Sequence, residues 1–241
     1  KVVYKDKTKV SKTTTVNGDT VTMHAVWKGN SYKLSFSANG GKGSMSSQTM
    51  TYGTSKAIRK NAYTKTGYSF KGWYAHRSSD DKWYAKNAEG KKSWYTEEEI
   101  KDKGLKKVLI SDGASYKSLS KVEGDIVKLS AQWKANTFTV SFDADGGKGT
   151  MKPMTYTYGK SQAMNANKFS RSGYKFGGWY AYRASSKKWY AKKADGTKGW
   201  YSSSTISKNG YTKVVYKDQT SVSKITSIDK DEITMKAVWK K

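Results

Sequence analysis

The sequence predicts a mainly β protein (β-rich α+β) of two tandem lobes with hairpin inserts and little helix. Three observations predict it. The chain repeats itself at an offset of 106 residues, so that Tyr32-Lys-Leu-Ser-Phe36 returns as Phe138-Thr-Val-Ser-Phe142, Trp73 as Trp179 and Trp133 as Trp239. Apolar residues alternate at both ends of each unit, the period of a half-buried strand. Aromatic residues make up 14% of the chain and hydrophobic residues 35%, so the cores must be built on rings rather than on aliphatic side chains.

Each unit opens on a strand with Tyr32, Leu34 and Phe36 on one face. A glycine-rich turn follows, ANGGKGSM in one unit and DADGGKGT in the other, and then a second strand through Met50-Thr-Tyr52-Gly. A connector ends in GYSFKGW or GYKFGGW, and the unit closes on the alternating DIVKLSAQW or DEITMKAVW. Trp73 and Trp179 end an apolar stretch and are expected in the core. Trp27, Trp133 and Trp239 end the closing strands and are expected in core or lobe-packing roles. Tyr74 and Tyr180 follow the framework tryptophans, so they face the other way. The opening KVVYKDKTKVSK reappears as KVVYKDQTSVSK at Lys213. Residues 1–28 therefore read as the C-terminal tail of a preceding repeat, expected to pack on the first lobe or complete its sheet. The units are then 29–134 and 135–241, inside a longer parent protein.

An insert of about forty-five residues separates the Gly-Trp motif from the closing strand in each unit. Within it, TEEEIKDKG (96–104) reads as a short helix with Thr96 as cap, Glu99 completing a capping box and Gly104 ending it. SSSTISKNG, its counterpart, carries a weaker helix signal. Before the helix, Trp83-Tyr84 and Trp94-Tyr95 flank AEG, and Trp189-Tyr190 and Trp200-Tyr201 flank ADG, the pattern of a β-hairpin. With Asp195-Gly196 as a two-residue loop, Tyr190 faces Tyr201 and Ala191 faces Trp200. A register shifted by one pairing places Trp189 opposite Trp200. At least one member of each Trp-Tyr pair is needed to anchor the hairpin. The remainder lie among Lys, Asp, Gly and Ser, and a cluster of exposed aromatics marks a binding patch.

Composition narrows the partner. Formal net charge is +27, yet of 46 basic residues only Arg59, Arg77, Arg171 and Arg183 are arginine. Sequence readers of nucleic acid depend on the guanidinium fork, so no nucleic-acid partner is expected, although single strands also stack on aromatics in basic grooves. The chain has no cysteine, which excludes disulfides, thiolate metal sites and cysteine catalysis and suits a bacterial surface. No signal peptide or membrane span is visible, so no membrane insertion is expected. Catalysis has no support either. His24 and His76 do not recur, and Glu97-Glu98-Glu99 becomes Ser203-Ser204-Thr205, so no carboxylate pair is kept across units. DADGG hints at calcium, but SANGG lacks both carboxylates, and the turn reading wins. No catalytic residue, metal or cofactor is expected.

The order Y-x-V-x-F-x-A-x-G-G-x-G-x-M, Y-G, G-Y-x-F-x-G-W and a closing A-x-W resembles the Listeria–Bacteroides repeat, a β-grasp-like module of bacterial surface proteins. The resemblance covers both ends of each unit and implies two β-grasp-like lobes at the bacterial cell surface, extracellular. Units with aromatic-rich inserts also resemble starch-binding modules of amylosome proteins from gut bacteria. That second resemblance implies α-1,4-glucan as the partner. A pyranose presents a flat face of C–H groups, and Trp and Tyr offer a matching face at low entropic cost. The candidate glycan-binding residues are Tyr74, Arg77, Trp83, Tyr84, Trp94 and Tyr95 in the first unit and Tyr180, Arg183, Trp189, Tyr190, Trp200 and Tyr201 in the second. A structural stalk and a basic polyanion binder stand as the alternatives.

Overall fold

A computed structural model describes residues 2–241. Strands make up 41% of it and helix 6%, in two sheet-rich lobes without a barrel, the mainly β class that the repeat and its alternation predict. In the first lobe the strand order is Gln48–Thr51, Ser31–Ser37, Ile126–Ala135, Tyr68–Arg77, Lys82–Lys86 and Lys92–Tyr95. The opening strand runs parallel to the closing one, and the other neighbours are antiparallel. The second lobe repeats this order with Met154–Thr157, Thr137–Asp143, Asp231–Lys240, Lys175–Arg183, Lys188–Lys192 and Lys198–Tyr201. The insert hairpin thus extends the framework sheet by two strands.

Trp73 and Trp179 sit at the centre of the cores, fully buried. Phe36, Tyr63 and Phe70 surround Trp73 edge-on at 5.3, 6.1 and 4.8 Å between ring centres. Phe142, Phe169 and Phe176 do the same for Trp179 at 5.2, 5.9 and 4.7 Å. The glycine before each tryptophan makes this possible. Gly72 and Gly178 have φ of +139° and +119°, at a register shift against the closing strand. A Cβ on Gly72 would lie 2.4 Å from the Ile110 carbonyl, and one on Gly178 would lie 2.5 Å from that of Tyr216. These close approaches let the strand returning from the insert dock on the framework, as in the Trp73 N–H to Ile110 O and Ile110 N–H to Trp73 O bonds, both 2.9 Å.

One residue joins the lobes. Asn136 is buried, and its main-chain N–H donates to Gly67 O at 2.9 Å while its carbonyl accepts from Tyr158 N–H at 2.8 Å. Its side chain accepts from Ser69 Oγ at 2.6 Å and donates to Ser227 O at 2.8 Å. Gly67 presses on Tyr158, where a Cβ would lie 2.1 Å from the ring. Four hydrogen bonds through one side chain and its peptide hold both lobes to a short connector.

Residues 2–28 precede the first sheet. They form no strand, do not join the first sheet, and Trp27 is 91% exposed. The matching closing strand of the second lobe lies between Thr137–Asp143 and Lys175–Arg183. The equivalent slot in the first lobe is filled by Ile126–Ala135. Trp133 and Trp239 show what it lacks: each is half-buried and donates its indole N–H to Ala38 O or Ala144 O, at 2.9 and 2.8 Å.

Two outcomes follow from this core. Gly72→Ala or Gly178→Ala should lower the unfolding free energy by about 2–3 kcal/mol in urea denaturation. Gly53→Ala, with φ +82° but open space around it, should cost about 1–2 kcal/mol, from backbone strain alone. The second concerns alkali. Tyr156 stacks on Phe138 in the second core, and burial pushes its phenol from 10.0 up to about 12. The protonated form is the one the fold holds. Its contribution is therefore complete below pH 10 and falls as pH rises from 10 to about 12. Roughly 2–3 kcal/mol from this group should be lost across that window in a stability–pH series, and the loss should be absent in Tyr156→Phe.

Candidate functional site

The turn chemistry of the hairpins sets the site. Lys193 N–H donates to Thr197 O at 2.9 Å and Gly196 N–H to Lys193 O at 3.1 Å, so the loop is Ala194-Asp195-Gly196. Gly196 takes φ +84°, and Asp195 accepts from the Thr197 N–H at 2.8 Å. This is a three-residue turn with a left-handed glycine, rather than the two-residue loop expected. The first lobe closes in the same way between Asn87 and Lys91, with Gly90 at φ +82°. The register is accordingly neither of the two expected ones. Trp189 faces Tyr201 and Tyr190 faces Trp200; Trp83 faces Tyr95 and Tyr84 faces Trp94. Each face of each hairpin therefore carries one Trp and one Tyr.

The inner face is structural. Tyr84 and Trp94 pack on the first core at 5.3 Å from one another, and Tyr190 and Trp200 on the second at 5.2 Å. Burial raises the phenol pKa of Tyr84 and Tyr190. The two candidate arginines join them. Arg77 lies 4.7 Å over the Trp94 ring, and Arg183 lies 4.3 Å over Trp200. Arg77 holds Asp80 with two hydrogen bonds of 2.8 and 2.6 Å, which raise its own pKa and lower that of Asp80. Arg183 is buried, donates from Nη2 to Thr226 Oγ1 at 2.9 Å, and sets Nε 2.9 Å from Asp231 Oδ2. Trp200 also donates to Ile225 O at 3.1 Å. These six residues pack against the lobe, where Arg183 is buried and the other five are half-buried.

The outer face gathers the rest. Cross-strand neighbours run Thr234, Tyr182, Trp189, Tyr201 in the second lobe and Lys128, His76, Trp83, Tyr95 in the first. Tyr182 and Trp189 are 4.8 Å apart and inclined by 48°, with Tyr180 edge-on at 6.4 Å. His76 and Trp83 are 4.7 Å apart and inclined by 49°. Tyr211 meets Tyr201 at 4.9 Å. A lysine lies over each tryptophan, Lys107 on Trp83 and Lys213 on Trp189, both at 3.6 Å. Tyr74, Trp83, Tyr95, Tyr180, Trp189 and Tyr201 are all half-buried.

Short helices border these rows. Glu97–Asp102 has the expected capping box: Glu99 N–H donates to Thr96 Oγ1, and the Glu99 carboxylate accepts from Thr96 N–H, which lowers its pKa. Ser203–Lys208 forms as well, capped by Ser202, although its sequence signal is weaker. Each contacts the first arm of its hairpin, in which Ala85 and Ala191 are fully buried. Beside the first helix lies a groove of about 610 Å³ lined by Tyr74, Ile100, Leu105, Lys107 and Leu109. The lobes then diverge. Lys107 is tied to Glu97 at 2.8 Å. Ser203 replaces that glutamate and accepts from the Trp189 indole at 3.1 Å, so Lys213 meets no carboxylate within 4 Å among the described residues. Desolvation lowers the Lys213 pKa, with Asp145 opposing. The DADGG turn is held internally, with Asp143 2.5 Å from Lys236 Nζ and accepting from Asp145 N–H.

The Listeria-Bacteroides repeat domain matches residues 32–94 and again residues 138–198, together just over half of the chain. The chain belongs to this repeat family. Each match runs from the opening strand into the second hairpin arm, so it takes in Tyr74, His76 and Trp83 or Tyr180, Tyr182 and Trp189 but stops before Tyr95 or Tyr201. Among curated relatives, a Gly-rich membrane protein of Evansella cellulosilytica is 31% identical over 136 residues, 56% of this chain and 12% of that protein. Internalin H of Listeria monocytogenes is 28% identical over 142 residues, 58% of this chain and 19% of that protein. The chain thus spans less than a fifth of the length of either. No solved structure matches it. No helix among the described residues is long and apolar enough to cross a membrane.

The sequence reading missed Tyr182, His76, Tyr211, Lys107 and Lys213. Tyr182 lies two residues after Tyr180 on an alternating strand, and Lys107 and Lys213 keep the 106-residue offset, so both signals were present. The two faces also give a stability test. Trp94→Ala or Trp200→Ala should cost about 3 kcal/mol or more. Trp83→Ala or Trp189→Ala should cost less than about 2 kcal/mol. Urea midpoints of the four variants check the sorting.

Proposed function

We propose that the chain is a non-catalytic carbohydrate-binding module of a bacterial surface protein, and that its outer aromatic rows hold starch or another α-1,4-glucan. The observation that carries this reading is the row of Tyr182, Trp189 and Tyr201 on the open face of the sheet, with Tyr180 beside it. Adjacent rings are inclined by nearly 50°. Successive platforms at an angle suit a curved glucan better than a straight one. Lys107 and Lys213 are flexible, strongly hydrated point charges. They can swing off the indole and donate to ring hydroxyls. A purely structural stalk predicts buried insert aromatics, whereas Trp83, Tyr95, Trp189 and Tyr201 are each only half-buried. Two such rows on lobes fixed by Asn136 gain avidity on a polymer.

The test is a pull-down on insoluble starch with cellulose beside it, at low and high salt. The intact chain should be retained on starch alone, with little salt dependence. Trp83→Ala with Trp189→Ala should weaken retention by about tenfold or more. No retention on starch, or retention unchanged in the double variant, would contradict the proposal.

A further inference from the structure

The outer rows leave one feature of the molecule unused, a cleft of about 400 Å³ where the two lobes meet. Lys42 and Lys65 line it from the first lobe and Lys224 from the second, with Tyr68 and Tyr158 between them. No acidic residue lines it, and none of the three lysines has a carboxylate within 4 Å among the described residues. Among the described residues, only Lys82, Lys103, Lys107 and Lys236 are paired with carboxylates. The positive charge of the cleft is therefore uncompensated, and an anion entering it would be the first counter-charge.

The cleft is also preformed. Tyr68 and Tyr158 meet edge-to-face at 6.0 Å across the junction, and the Lys65 ammonium lies 4.6 Å over the Tyr68 ring. Gly67, between Thr66 and Tyr68, abuts the Tyr158 ring, and Asn136 bonds to both lobes. Two walls from different lobes are thus fixed before any ligand arrives, which reduces the ordering cost of binding.

From these observations we infer that the interlobe cleft is a second binding site, for a phosphodiester group carried on a polyol or sugar chain. The lysines line the cleft as ammonium point charges, a recognised way of holding a phosphate group that does not require the bidentate geometry of a guanidinium. The two tyrosine rings give the carbon skeleton between phosphates an apolar wall, and their hydroxyls can bond to its own. The site is independent of the aromatic rows: it lies at the lobe junction and shares no residue with them. It also gives part of the +27 net charge a defined task rather than a diffuse one.

The experiment titrates the full chain with poly(glycerol phosphate) at low salt, with heparin as the sulfated comparison. One variant is Lys42→Gln, Lys65→Gln, Lys224→Gln. Its control removes the same charge elsewhere, at exposed Lys91, Lys101 and Lys208. A third, Thr66→Glu, places a carboxylate in the cleft. The cleft triple and Thr66→Glu should each weaken poly(glycerol phosphate) binding about tenfold or more, and the control by much less. Starch retention should be unchanged in all three. No binding of poly(glycerol phosphate), equal losses in cleft and control variants, or cleft-dependent binding of heparin alone would each overturn the inference. All substituted residues except the half-buried Lys65 are exposed, and an unchanged urea midpoint verifies that the variants fold.

Discussion

The burial of one tryptophan per lobe is the constraint on which the rest of the structure depends. Trp73 and Trp179 are enclosed by three aromatic rings each, and their indole N–H groups have no acceptor among the described residues. An unmet donor costs about 1–3 kcal/mol. Burying an aromatic of this size removes roughly 200 Å² from water, about 5 kcal/mol at 25 cal/mol per Å². Burial wins, and it wins through geometry: the preceding glycine brings the returning strand against the framework at Ile110 or Tyr216. The insert is thereby anchored at both ends, by the framework strand where it leaves and by the glycine bulge where it returns.

Once the insert is anchored, the turn decides which rings are free. A three-residue turn with glycine in the left-handed region puts Trp opposite Tyr on both faces of the hairpin. The inner pair completes the core beneath a stacked arginine, and the outer pair joins the row that continues across the sheet. Had the loop been two residues long, the pairing would have shifted by one and the tryptophans would not have been divided between the faces. A single glycine per hairpin therefore separates structural aromatics from available ones.

Much of the fold was legible in the sequence. The repeat, the alternating strands, the buried Gly-Trp motif and the capped first helix all rest on local chemistry, and each is found. The second helix forms on a weaker signal, with Ser202 as its cap and no acidic residue in its first turn. The site was only partly legible. Strand alternation identifies Tyr74 and Tyr180 as outward, but the faces of Trp83 and Trp94 depend on a register that turned on one loop residue. Arg77 and Arg183 kept their place for a reason that sequence cannot distinguish from binding: they cover the inner tryptophans. The fate of residues 2–28 depends on which strands are present to receive them, a tertiary fact with no local signature.

The outer rows and the core tryptophans make opposite claims on the same residue type, and that contrast gives the most direct test. The chain has nine tryptophans, whose indole N–H signals can be followed individually by NMR. On titration with maltoheptaose, the signals of Trp83 and Trp189 should shift in a saturable manner, while those of Trp73 and Trp179 stay in place. Absence of any shift, or shifts confined to the inner Trp94 and Trp200, would contradict the account.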